Sequence, residues 1–170
     1  MGKGPAKIRA IYTPEERARR DATRWTTVQA LLAPLQFLVF LVSLALVLYS
    51  LATGTMHGAA AVSVLIKTGV LLTIMVTGAI WEKVVFGQYL FAPSFFWEDV
   101  FSFGVIALHL AYCAMLFAGI GTPATQLTVA LAAYAAYLIN AGQFLWKLAL
   151  ARRTAPETAR TAALGKVRAA

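Results

Sequence analysis

One cysteine, Cys113, is all the sequence holds, and it lies inside an apolar run. No internal disulfide can form, and no zinc or iron–sulfur spacing exists, so Cys113 reads as a small packing residue. Charge is also scarce. Only 13% of residues are charged, about half of what a soluble domain carries. Acids are scarcest of all: of seven Asp and Glu, only Glu82, Glu98 and Asp99 fall outside the two polar tails. There is no P-loop, no Rossmann glycine pattern, no nucleophile elbow and no pair of metal-binding residues at ligand spacing, which removes the classes those motifs serve.

What fills the chain is hydrophobic residue, 60% of it, with mean hydropathy +0.72. Long, nearly uncharged runs replace amphipathic periodicity, so the chain reads as all-α and integral to a membrane. A four-helix transmembrane bundle with a short N-terminal interfacial helix fits the length. The net charge of +8 does not point to nucleic acid: of 15 Lys and Arg, seven lie in residues 3–24 and six in 147–168, flanking the spans as membrane orientation requires. The first apolar run, from Val28, is too long for the core of a cleaved signal peptide.

The expected organisation is a basic cytoplasmic tail over 1–24, a transmembrane domain over 25–150 and a basic, disordered tail over 151–170. Residues 1–12 read as flexible. Thr13-Pro14-Glu15-Glu16 then carries a helix start, with Thr13 as cap, Pro14 in the first turn and Glu16 closing a capping box. Glu16 and Arg20 stand at i,i+4 spacing. The spans are expected at about 25–52, 60–85, 95–119 and 124–150. In the first, Gln29, Gln36, Ser43 and Ser50 recur every seven positions and share one face, which should look into the bundle, and Pro34 should kink the helix. His57, in the following turn, reads as a solvated loop residue. In the second span Lys67 sits deep, where an ammonium must snorkel, pair or lose its proton. In the third, Glu98, Ser102, Val105, His109 and Tyr112 form one stripe that puts His109 about 16 Å along the axis from Glu98. In the fourth, Ala133, Ala136, Asn140, Gln143 and Lys147 form another, with small residues and amides suited to close helix contact. The turns after spans one and three hold no Lys or Arg, so both termini should be cytoplasmic.

The stretch from Trp81 to Gly104 stands apart. It contains all three non-tail acids and nine of the chain's 20 aromatic residues. Its connector, about Phe86 to Phe96, is too aromatic for a solvated loop. Gly87 and Pro93 mark turns there, and Ser94 is placed to cap the next helix. Carboxylates set among rings suggest a site for a flat, apolar ligand with one anionic end. An equally weighted structural reading has Glu98 and Asp99 at a helix start, favoured by its dipole, and Glu82 paired with Lys83 or Lys67. A non-catalytic ligand-binding or assembly subunit, or a small ion-coupled transporter using Lys67 and the acids, would also fit these residues.

The string Val76-Thr77-Gly78-Ala79-Ile80-Trp81-Glu82-Lys83-Val84-Val85-Phe86-Gly87-Gln88-Tyr89-Leu90-Phe91-Ala92-Pro93, continued by Phe95-Phe96-Trp97-Glu98-Asp99-Val100-Phe101-Ser102-Phe103, resembles the 3-vinyl (also called 2-vinyl) bacteriochlorophyllide hydratase family. Tyr12-Thr13-Pro14-Glu15, Arg19-Arg20-Asp21, Gln36-Phe37-Leu38-Val39-Phe40 and the segment Asn140 to Lys147 are similar too, so the likeness covers about residues 12–150. The resemblance implies a membrane hydro-lyase of bacteriochlorophyll synthesis that adds water to the C3 vinyl group of a magnesium chlorin bearing a free propionate. Hydration needs no redox or organic cofactor. The expected location is the bacterial inner, photosynthetic membrane, with the bilayer and neighbouring pathway enzymes as partners and no nucleic acid. For that chemistry a proton donor to carbon must be a carboxylic acid that stays neutral, which burial among rings and an adjacent acid both favour. The expectation is Glu98 as acid, with Asp99 or Glu82 as the base orienting water. Lys83, Lys147 or Arg24 would hold the propionate, Trp81, Trp97 and Tyr89 would offer rings to the macrocycle, and His109 would ligate its magnesium axially or relay a proton.

Overall fold

The computed structural model describes the backbone of residues 11–168 and the side chains of residues 11–152, and all of its regular structure is helical. Five helices follow one another: α1 Pro14–Ala22, α2 Arg24–Thr53, α3 His57–Phe86, α4 Phe96–Phe117 and α5 Pro123–Arg168. The four later helices are long and apolar enough to cross a membrane. Together with their outward-facing apolar side chains, this makes the chain a multi-pass membrane protein. Helix α2 continues through Pro34. The backbone of α5 stays helical to Arg168, through the segment whose composition suggested disorder. Its alanines favour the helical state there.

Two antiparallel hairpins, α2–α3 and α4–α5, make up the bundle. Gly54 closes α2 in the left-handed region at φ 68°, its N–H reaching Ser50 O at 2.9 Å. Such a conformation suits glycine. Across the second turn, the Gln126 amide donates to the carbonyls of Met115 and Ile120. His57 is not a solvated loop residue: it opens α3, and its Nδ1 lies 2.7 Å from Ser50 Oγ, tying the first hairpin together at its turn.

The spans turn their largest apolar side chains outward, Leu31, Phe117, Leu145 and Trp146 among the most exposed. Inward they turn polar ones. In lipid, helices gain little from burying more hydrocarbon against each other, and small residues and interhelical hydrogen bonds carry the association. Ala130 and Ala133 are fully buried. Ser43 Oγ lies 2.7 Å from Ser63 Oγ and 2.5 Å from the Tyr134 hydroxyl, joining α2, α3 and α5. Asn140 donates to Ser102 Oγ at 2.8 Å, joining α5 to α4, and Gln29 donates to Thr77 at 2.8 Å, joining α2 to α3. The seven-residue polar stripe of α2 and the Glu98–Tyr112 stripe of α4 both face inward as their spacing predicts. Gln36, Ser43, Ser50, Glu98, Ser102, Val105, His109 and Tyr112 are all buried. Cys113 is a packing residue against this core.

At the other end, α1 folds across the bundle. Thr13 and Glu16 form the capping box, with Thr13 N donating to Glu16 Oε2 at 2.8 Å and Glu16 N donating to Thr13 Oγ1 at 3.2 Å. Glu16 is thereby committed to the cap, and Arg20 pairs with Asp21 at 2.6 Å instead. Arg20 also lies over the Tyr12 ring. The flexibility expected of residues 1–12 falls mostly on residues 1–10, which lie outside the described residues. Ile11 and Tyr12 are buried against Val85, Phe95 and Ala151. Burial pushes the Tyr12 phenol up from its ordinary pKa, while the neighbouring Arg20 guanidinium pulls it the other way. Arg19 Nε donates to Val85 O at 2.8 Å. Removing the cap with Thr13→Ala is expected to weaken α1 by about 1 kcal/mol. Trypsin cleavage after Arg17 and Arg19, measured against cleavage elsewhere in the chain, should rise accordingly.

Candidate active site

The connector between α3 and α4 brings the three non-tail carboxyl groups to one end of the bundle, beneath α1. Gly87 ends α3 at φ 86°, its N–H on Lys83 O. The chain then turns back so that two successive backbone N–H groups point at two acids. Phe91 N donates to Asp99 Oδ2 at 2.7 Å, and Ala92 N donates to Glu82 Oε2 at 3.2 Å. Phe91 adopts φ 60°, a left-handed conformation unusual for a residue with a Cβ, which stores about 1–3 kcal/mol of strain and persists only where surrounding bonds enforce it. Here the two carboxylates do so. Glu82 and Asp99 are both buried, and their carboxyl groups lie close enough to act on each other. Two carboxyl groups set together out of water repel when both are charged, so such a pair favours keeping a proton on one of them.

Glu98 is buried one residue away with a different partner. Its Oε1 lies 3.4 Å from Lys147 Nζ, while Oε2 is buried with no hydrogen-bond partner among the described residues. Lys147 also donates to the Ser94 carbonyl and lies over the Phe95 ring. Glu98 and Asp99 do occupy the first turn of α4, where its dipole favours anions. Glu82, however, pairs with neither Lys83 nor Lys67. Ser94 does not cap α4: its hydroxyl donates to Ile11 O at 2.8 Å, fastening the N-terminal segment over the connector. The capping position is Phe95, which makes no side-chain cap bond.

Beside the acids lies a ledge of rings. Phe91 stacks on Phe103 with centroids 5.6 Å apart and meets Phe96 at 5.6 Å, and Phe96 meets Trp97 edge-on at 5.5 Å. All four remain exposed. Trp81 belongs instead to the packing beneath, donating to Thr26 Oγ1 at 2.9 Å and meeting Phe86 and Phe95 edge-on.

A profile of the 2-vinyl bacteriochlorophyllide hydratase family matches residues 12–150. A protein of Cereibacter sphaeroides named 2-vinyl bacteriochlorophyllide hydratase is 72% identical over 147 residues, covering 86% of this chain and 91% of that one. One of Rhodobacter capsulatus with the same name is 71% identical over 144 residues, covering 85% and 84%. The chain belongs to this family. Membership makes it a hydratase of bacteriochlorophyll synthesis. No solved structure matches the chain.

Within this hydratase, the remaining residues singled out from the sequence fall into separate places. Lys83 is exposed, its Nζ donating to Gly87 O at 2.8 Å and lying 5.3 Å from the centre of the exposed Tyr89 ring. Arg24 is exposed at the start of α2, and its side chain makes no hydrogen bond or ion pair among the described residues. His109 is far from the ledge. It is fully buried in the bundle, Nδ1 2.8 Å from Val105 O, and a macrocycle would have to enter the core to meet it. Sequence reasoning missed the Phe91 and Ala92 N–H donors. Neither position is a glycine, so nothing in the residue types marks the turn that aims them.

Proposed function

We propose that the Glu82–Asp99 pair and Glu98 together add water to the C3 vinyl group of a chlorophyllide or bacteriochlorophyllide, giving a 1-hydroxyethyl group. The observation that carries this reading is the buried carboxyl pair, held on two successive connector N–H groups beside an exposed aromatic ledge, in a chain whose family names the reaction. The macrocycle lies on Phe91, Phe96, Phe103 and Trp97 with its vinyl group toward the pair. The pair delivers its shared proton to the terminal vinyl carbon, and the C=C electrons form the new C–H bond. The cation left on the inner carbon is delocalised into the macrocycle and stabilised by the carboxylates. Water attacks that carbon while Glu98 takes a water proton, and transfer of a proton from Glu98 to the pair restores the starting state.

These roles exchange those first expected, in which Glu98 was the acid. What supports the exchange is the surroundings of each group. Glu98 is held by Lys147 through Oε1 while Oε2 has no partner among the described residues and is open to take a proton, whereas two buried carboxyl groups set against each other repel when both are charged and so favour keeping a proton between them. His109 takes no part in this reading, because its burial keeps it from the ledge.

Lys83, the exposed cation on the connector side of α3, is the candidate for the propionate, with Tyr89 beside it. Lys147 is committed to Glu98 and Ser94. Lys83→Met is expected to raise KM for the pigment about tenfold with kcat unchanged, as loss of uniform binding does. Steady-state kinetics in detergent would read this, and an unchanged KM would release Lys83 from the role.

The absence of Lys and Arg from the two short turns favours both termini cytoplasmic and the site facing the cytoplasm, and a reaction of bacteriochlorophyll synthesis fits the bacterial inner, photosynthetic membrane. Neighbouring pathway enzymes are natural partners there, since direct transfer spares an apolar intermediate from water. The deciding experiment is incubation of purified protein with a vinyl chlorophyllide. A mass gain of one water is expected. Binding without conversion would leave a pigment carrier, and no binding would remove the reading.

A further inference from the structure

Seven buried polar atoms lack hydrogen-bond partners among the described residues once Arg17 is set aside, and all seven belong to inward-facing positions of the spans. One is Glu98 Oε2, already part of the site. The other six belong to Gln36, Lys67, His109, Tyr112, Asn140 and Gln143. Leaving such groups dry inside a bundle that is itself surrounded by lipid is strongly unfavourable.

Four of the six, those of Asn140, Lys67, His109 and Tyr112, follow one another along the bundle. From the acids inward, Ser102 stands one turn beyond Glu98 and holds Asn140 at 2.8 Å. One turn further along α5 is Tyr137, with Lys67 Nζ 3.9 Å from its ring centre. His109 packs against Tyr134 with centroids 5.8 Å apart, and Tyr134 bonds to Ser43. One turn on from His109 is Tyr112. Tyr112 in turn lines an open pocket of about 180 Å³ at the far end of the bundle, together with His57, Ala61, Gln126 and Leu127. Polar atoms thus line the interior from the hairpin turns to Glu98, while the aromatic ledge lies at the opposite end.

We propose that this interior stripe is a binding path for water, the second substrate of the hydration reaction. Water enters at the pocket between His57, Tyr112 and Gln126 and reaches Glu98 through sites on Tyr112, His109, Lys67 and Asn140. Each bound water satisfies the donors and acceptors that the helices leave unpaired, as buried waters do with about three bonds each. The pigment approaches by the ledge, and water by the core. A macrocycle lying over the acids would otherwise shield them from solvent. The assignment of water as cosubstrate rests on the reaction proposed above; the path itself rests on the unpaired atoms.

Hydroxyl-radical footprinting by X-ray pulse, in lipid nanodiscs, tests it, because radicals form at bound waters and mark the side chains beside them. Tyr112, Tyr134 and Tyr137 should be oxidised despite their burial. In Ala61→Phe, which fills the pocket, that labelling should fall about fivefold as water sites are lost. Hydration kcat should fall about tenfold with pigment KM unchanged, since pigment binding is untouched. No labelling of the three tyrosines in the unaltered chain overturns the path, whether or not the variant folds, and so does labelling that Ala61→Phe leaves intact. Labelling in a protein that never converts the pigment would instead refute the reaction and leave the water path standing.

Discussion

Glu82→Gln and Asp99→Asn are each expected to lower the hydration rate by about 10²- to 10⁴-fold, the usual contribution of a positioned general acid. Either amide can still accept the connector N–H, Ala92 N for residue 82 and Phe91 N for residue 99, and its NH₂ group can donate to the remaining carboxylate. The fold of the connector is therefore retained while the transferable proton is lost. The two groups act as one unit, so the double variant should be little worse than either single one. Product formation from a vinyl chlorophyllide, normalised to protein in the membrane, measures this. Full activity in both single variants would remove the pair from the chemistry, and additive losses would show that the two act separately. Pigment binding by the inactive variants should persist, because the ledge of Phe91, Phe96 and Phe103 depends on the same connector turn.

The spacing of polar residues in the spans told more about this bundle than hydropathy did. Hydropathy locates four spans but leaves each one's rotation open. Gln36, Ser43 and Ser50 at seven-residue intervals, and Glu98, Ser102, His109 and Tyr112 at intervals of four, seven and three, resolve that rotation, because a polar side chain facing lipid has no partner. The capping box at Thr13 was equally readable, since its two bonds are local. What remained hidden depends on contacts distant in sequence or on backbone conformation. His57 looked solvated because its partner Ser50 lies across a turn. Ile11 and Tyr12 looked flexible because their burial requires Val85, Phe95 and Ala151. Ser94 had the right type and position for a cap, but Ile11 O claims its hydroxyl. At the site, composition brought the acids to notice, yet it could not sort Glu82 with Asp99 and Glu98 with Lys147. That sorting depends on a left-handed Phe91 and on a lysine of the next helix. Glu16, which looked free for Arg20, shows the same limit on a small scale: a side chain with two local options takes one, and spacing does not say which.

The Glu98–Lys147 pair separates chemistry from stability. Lys147→Met would leave Glu98 buried and uncompensated, and loss of one member of a buried ion pair costs about 3–5 kcal/mol. The lower end is expected here, because Lys147 keeps 24% of its side-chain surface exposed. Glu98→Gln removes the charge with little change in shape and should reduce kcat about 10²-fold, as loss of a positioned base does, while it strands the Lys147 ammonium. Combining Glu98→Gln with Lys147→Met eliminates both charges, so thermal stability in detergent should recover most of what Lys147→Met alone loses. Activity should not recover, because no group is left to take the proton from water. A double variant that regains stability and also hydrates at the unaltered rate would show that Glu98 holds the helices together and does nothing more. One that regains stability and stays about 10²-fold slow places Glu98 at the reacting water, since a base loss of that size cannot then come from a loosened fold.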